Sequence, residues 1–225
     1  METFKKIWKN LNRHSRSLEK AKTITQVAIF GFADSKPKDK LYKEAYQVAY
    51  VLAKAGYTVV DGGGPGVMEA ASRGAKTASG KVIGVTFYPT DTDNFEGRDI
   101  NNPVDEEIKT KSYVERTLTL LREGQVYVIF NGASGTLSEF AMAWGLARIY
   151  FGHHKPIILY GKFWREITNV LKKNLMLRPG ETRVYKIVET PEQMLHAINE
   201  FEKEIERGEH KHLKTTMKEG GDYTV

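Results

Sequence analysis

The stretch Thr58-Val-Val-Asp-Gly-Gly-Gly-Pro-Gly-Val-Met-Glu69 decides the fold. Thr58-Val-Val-Asp61 is a short β-branched run of the kind that forms a buried strand. It breaks into Gly62, Gly63 and Gly64, and Gly66 opens a helical pattern over 66–76. A strand turning through glycines into a helix leaves unpaired N–H groups at the positive helix end, all pointing into one space. That is the physics of an anion site. Glycine suits it because any Cβ would collide with an approaching ligand.

The same alternation continues outward. Upstream, Val27-Ala-Ile-Phe30 predicts a strand and 40–54 a helix, closed by the glycine of Ala55-Gly-Tyr57. Downstream, strands are expected at 82–86, 126–130, 156–160 and 184–188, and helices at 112–122, 135–151 and 163–173. A last helix opens at Thr190, the cap, with Pro191 in its first position. The polar stretch 88–107 is too long for an ordinary connection and reads as a lid or binding loop. Short β-branched strands alternating with helices imply an α/β fold: one doubly wound, Rossmann-like parallel sheet with helices on both faces. Ligands then bind beyond the carboxyl ends of the strands, where the strand order switches. This sheet domain is expected over 25–207. Before it, 1–24 forms a basic amphipathic helical arm carrying Phe4, Ile7, Trp8, Leu11 and Leu18, and 208–225 is a charged tail.

A chain of 225 residues buries about 70% of its unfolded surface, so it needs no staple. It has no Cys, which excludes disulfides and thiolate chemistry. No segment has the roughly 20 apolar residues of a membrane helix, and the N-terminus lacks the apolar core of a secretory signal, so the cytoplasm is the expected address. The net charge of +6 would suit a nucleic-acid surface, but a solvated basic arm explains it as well, since net charge alone says little about partners.

A second glycine turn, Asn131-Gly-Ala-Ser-Gly-Thr-Leu-Ser-Glu139, follows the strand at 126–130. Gly132 and Gly135 free the backbone, Ser134 and Thr136 add hydroxyl donors, and Glu139 lies one turn into the helix, facing back toward the ligand. As a plain N-terminal carboxylate it would merely complement the helix dipole. A nicotinamide or flavin site is not expected, because Gly31-Phe-Ala-Asp-Ser-Lys36 lacks the G-x-G-x-x-G spacing, and no glycine turn ends in Gly-Lys-Ser/Thr.

Together, Gly62-Gly-Gly-Pro-Gly-Val-Met68, Tyr113-Val-Glu-Arg-Thr117 and 131–139 resemble the motifs of the LOG family, the lysine-decarboxylase-like Rossmann proteins, over about 27–188. The resemblance implies a phosphoribohydrolase. It would cleave the N-glycosidic bond of a cytokinin riboside 5′-monophosphate, or of an AMP-like nucleotide, to free base and ribose 5-phosphate without a cofactor. It implies Arg116 and Glu139 as catalytic residues. Gly31, Gly62, Gly63, Gly64, Gly66, Met68, Gly132, Ser134, Gly135 and Thr136 would bind the phosphorylated substrate. Without the resemblance, Arg116 reads as an ordinary surface arginine.

Relatives that carry the molybdenum cofactor leave a binding protein as the alternative, and a nucleic-acid-associated protein is the third reading. The family also implies at least a homodimer. A helix as apolar as Phe140-Ala-Met-Ala-Trp-Gly-Leu-Ala-Arg-Ile-Tyr-Phe151 needs cover beyond one sheet face, from a second subunit or from the arm.

Three departures stand out: Asn131-Gly-Ala133 for Pro-Gly-Gly, Thr117 for lysine, and Gly31-Phe-Ala-Asp34 for Gly-Ser-Ser. Ala133 would cost about 1 kcal/mol or more if the turn needs positive φ there. No metal site is expected. His153 and His154 are adjacent with diverging rings, and His210 and His212 sit in the tail. Only Asp91 and Asp93 could hold Mg²⁺ through water.

Overall fold

Along each central strand, side chains alternate between two apolar layers. Val27 and Ile29 join one buried cluster, Ala28 and Phe30 the other, so both faces of the sheet must be covered. The computed structural model describes residues 24–89, 97–149, 154–178 and 180–206. The strands are β1 (Gln26–Phe30), β2 (Thr58–Asp61), β3 (Val82–Phe87), β4 (Glu106–Thr110), β5 (Val126–Ile129), β6 (Ile157–Tyr160) and β7 (Tyr185–Val188). The helices are α1 (Lys40–Lys54), α2 (Val67–Thr77), α3 (Tyr113–Glu123), α4 (Ser134–Ile149), α5 (Phe163–Asn174) and α6 (Pro191–Glu206).

All strand pairs are parallel, in the order β4-β3-β2-β1-β5-β6-β7. Helices α1, α2 and α6 pack on one face and α3, α4 and α5 on the other. The chain runs outward from β1 to β4, then returns to place β5 on the other side of β1. The connections leaving β1 and β5 therefore diverge to opposite faces, and the crevice between them is the expected ligand position.

The helix ends follow the sequence signals. Gly56 takes φ +87° after α1, and Tyr57 N–H donates back to Leu52 O at 3.0 Å, the helix-closing geometry that glycine permits. Thr190 Oγ1 accepts from Gln193 N–H at 3.2 Å at the start of α6.

The expectation for 88–107 needs correction, because it ends in a strand. Glu106-Glu-Ile-Lys-Thr110 pairs with β3 as an edge strand. Its single apolar residue gives no hydrophobic period, and charged side chains are what protects an open sheet edge. Nor is the described part of the stretch a lid. Asp99 N–H donates to Gly63 O at 2.9 Å and Asn102 Nδ2 to Gly64 O at 2.8 Å, strapping it onto the first glycine turn.

The all-round apolar reading of the helix after β5 also changes. Phe140 stacks on Trp144 and packs against Trp164 and Tyr185, while Trp144 Nε1 donates to Glu181 O at 2.7 Å. Met142 is half-buried against the same cluster, and only Ile149 of the four residues that seemed to need outside cover is exposed. Positions 1–23, 150–153 and 207–225, with the arm, His153 and the tail histidines, lie outside the described residues. Among the described residues, no helix is long and apolar enough to cross a membrane.

Candidate functional site

The crevice holds a cleft of about 580 Å³, within the range of small-molecule sites. The end of β1 and its loop line one side: Ile29, Phe30, Gly31, Phe32 and Ala33. Gly62 and Met68 come from the first glycine turn. Ala133, Ser134, Gly135, Thr136, Ser138 and Glu139 come from the second, and Tyr113 and Arg116 from α3. The first turns of α4 thus open into the cleft, with backbone donors and the hydroxyls of Ser134 and Thr136 on its wall.

The β1 loop is tied to both turns. Phe32 N–H donates to Asn131 O at 3.0 Å, and Phe32 O accepts from Val67 N–H at 3.0 Å. Gly31 lies against Val67, and Gly66 lies against the carbonyls of Phe32 and Ala33. The interlock depends on close backbone approach.

Arg116 and Glu139 meet at the cleft wall. Both are more than nine-tenths buried, with Arg116 Nη1 3.9 Å from Glu139 Oε1. Arg116 is not the surface arginine that its sequence context alone suggests. Its Nε donates to Val85 O at 3.0 Å and its Nη2 to Gly62 O at 3.2 Å, joining the ends of β3 and β2. A Cβ at Gly62 would overlap that guanidinium, so Gly62 is glycine to admit an arginine 54 positions away. Burial pushes the Glu139 carboxyl up to about 7, with the Arg116 charge opposing the shift. Glu139 therefore takes both protonation states near neutral pH, the condition for general acid or base work.

Beneath the first turn, Asp61 is fully buried. It accepts from Gly63 N–H at 2.7 Å and Ser72 Oγ at 2.6 Å, and burial raises its carboxyl to about 6. This network fixes the turn from below and was not signalled in the sequence.

Of the residues singled out from the sequence, Gly31, Gly62, Met68, Arg116, Ser134, Gly135, Thr136 and Glu139 line the cleft. Gly63 and Gly64 lie under the strap, Gly66 supports the β1 loop, and Gly132 lies against Thr136. Ala133 carries no strain, since Ser79 is the only non-glycine residue with positive φ among those described. Thr117 is buried and donates to Tyr113 O at 3.1 Å, so it lends the cleft no cation. Sequence reasoning missed Phe32, Tyr113 and Ser138 as cleft residues. Their one signal was position, beside Gly31 or within the quoted motifs. Among the described residues, no group of three or more His, Asp or Glu could hold a metal ion, and Asp91 and Asp93 lie outside them.

A family model described as the SLOG cluster4 family matches residues 24–194. The molybdenum cofactor binding protein of the phototrophic bacterium Rippkaea orientalis is 25% identical, over 79% of this chain and 97% of that one, with a TM-score of 0.59. The protein TM1055 is 28% identical over 79% and 99%, also with a TM-score of 0.59. DNA processing protein A from Helicobacter pylori, which binds single-stranded DNA, shares the fold alone: 18% identity over 78% and 80%, TM-score 0.53.

Proposed function

The chain belongs to the SLOG cluster4 family, and on that premise we propose that its cleft binds a nucleoside 5′-monophosphate and hydrolyses the N-glycosidic bond. The observation that carries this reading is Glu139, a buried carboxyl raised to about 7 on the cleft wall beside Arg116 and one turn from the backbone donors of α4. The phosphate sits at Ser134, Gly135 and Thr136. Glu139 accepts from a ribose hydroxyl or from the attacking water as positive charge develops on the sugar. Water adds at the anomeric carbon, the carbon–nitrogen bond breaks, and the base leaves with the proton. Arg116 is a positioning residue, since it reaches Glu139 while holding two strand ends.

A second reading, a carrier that holds a phosphorylated cofactor uncleaved, is favoured by the likeness to the Rippkaea orientalis protein and by buried Thr117 standing where related enzymes have lysine. Incubation with AMP, CMP, GMP and isopentenyladenosine monophosphate, followed by chromatography for free base, separates the two. Release from at least one is expected. Saturable binding without release leaves the carrier, and no binding of any phosphorylated nucleoside overturns both.

We also expect a homodimer through α4. With Phe140 and Trp144 covered internally, the outer ridge still exposes Leu137, Ala141, Gly145 and Ile149, two of them large aliphatics at 52% and 73% exposure. Light scattering at micromolar concentration should give at least twice the 25.5 kDa chain mass. A particle of chain mass overturns the dimer.

A further inference from the structure

We propose that Phe32 is the stacking platform for a planar heteroaromatic ring, nucleobase or pterin, whose phosphate sits at the start of α4. The inference rests on the reading that the cleft takes a phosphorylated nucleoside or cofactor, and it assigns the ring end of that ligand.

Three observations carry it. First, the backbone of Phe32 is held at both ends, its N–H by Asn131 O and its carbonyl by Val67 N–H, so its side chain leaves a fixed point between the two glycine turns. Second, Phe32 lines the cleft and is 38% exposed, whereas Phe30, two residues earlier, is buried. An aromatic residue left open inside a concave site offers a ligand an apolar surface. Third, the cleft is divided chemically. Hydroxyls, helix-start N–H groups and the Arg116–Glu139 pair come from α4 and α3, while Phe32, Ala33 and Met68 give an apolar wall. A second aromatic, Tyr113, lines the same cleft with its hydroxyl fixed 3.0 Å from Ser138 Oγ. A phosphorylated nucleoside has the matching polarity, an anion at one end and a π face at the other, and any base can use a ring because stacking needs no particular hydrogen-bond pattern.

Isothermal titration of the full chain tests this with formycin 5′-monophosphate, a C-nucleoside that the proposed hydrolysis does not cleave, with neopterin monophosphate, and with ribose 5-phosphate. The parent should bind formycin monophosphate or neopterin monophosphate more tightly than ribose 5-phosphate, and the tighter of the two identifies the ring. Phe32→Ala should weaken the ring-bearing ligand on the order of 10- to 100-fold and ribose 5-phosphate by less than about twofold. Phe32→Trp should retain the ring-bearing ligand, and both variants should keep the parent's melting temperature within a few degrees. Equal weakening of all ligands in Phe32→Ala overturns the proposal, because Phe32 would then only shape the cleft. A parent that binds neither ring-bearing ligand more tightly than ribose 5-phosphate overturns it too, and leaves the phosphate reading standing. A parent that binds none of the three overturns that reading and this inference together.

Discussion

Glu139→Gln lowers turnover of the cleaved nucleoside monophosphate on the order of 100-fold or more while leaving the protein at least as stable as the parent. Glutamine keeps the volume and one carbonyl acceptor, so the packing of α4 against Arg116 survives, but it neither takes up a proton nor offers a charge to the developing cation. The stability half follows from linkage. The folded carboxyl, at about 7, lies above the ordinary glutamate value of about 4.3. Below the ordinary value the group is protonated in both states and favours neither. As pH rises toward 7 the unfolded chain ionises first, so the folded state progressively loses stability. Above 7 it carries a buried, imperfectly compensated charge, at a cost of up to about 4 kcal/mol. The variant lacks this loss, so its melting temperature relative to the parent should rise between pH 5 and pH 8. Asp61, raised to about 6, titrates in both proteins and cancels. An unchanged rate removes Glu139 from the chemistry. A pH-independent difference in melting temperature removes the elevated carboxyl.

How far this was legible in the sequence depends on what each residue answers to. Strand and helix patterns answer to local periodicity, and the runs at 58–61 and 126–130 announced themselves because a strand buried on both faces is rich in β-branched and other apolar residues. β4 did not, because an edge strand needs few apolar residues. The two turns were legible as glycine turns, but their partners were not. Gly62 answers to Arg116, Gly66 to the carbonyls of Phe32 and Ala33, and Asp61 to Ser72 and to Asn102, 41 positions away. Each pairing exists only after the sheet has assembled. The family resemblance supplied Arg116 and Glu139 as a pair, and the 3.9 Å approach gives that pairing a physical content that the motif lacks. Phe32 entered the sequence reading only as a departure from a small, polar pattern, and exposure in a cleft cannot be read from one strand end.

Gly66→Ala should cost about 3 kcal/mol or more in stability, measured by urea unfolding of the ligand-free protein. Two costs combine. Gly66 holds φ +68° and ψ −124°, a mirror-β conformation open to glycine and closed to L-residues, worth roughly 1–3 kcal/mol when forced on another residue. Its missing Cβ also faces backbone, since a methyl there would run into the carbonyl oxygens of Ala33 and Phe32. Neither oxygen can rotate away as a side chain could. Phe32 O already accepts from Val67 N–H at 3.0 Å, and moving it would release the β1 loop from α2. The sequence alone suggested that the glycines of this turn let a ligand approach the backbone. At Gly66 the approaching group is the protein's own chain, so the penalty falls on folding before any ligand is added. A Gly66→Ala protein within about 0.5 kcal/mol of the parent, the range of an ordinary surface substitution, would show that the turn does not interlock with the β1 loop as described. If that protein had also lost phosphate or nucleotide affinity, Gly66 would return to the ligand, and the interlock would have to be sought elsewhere in the turn.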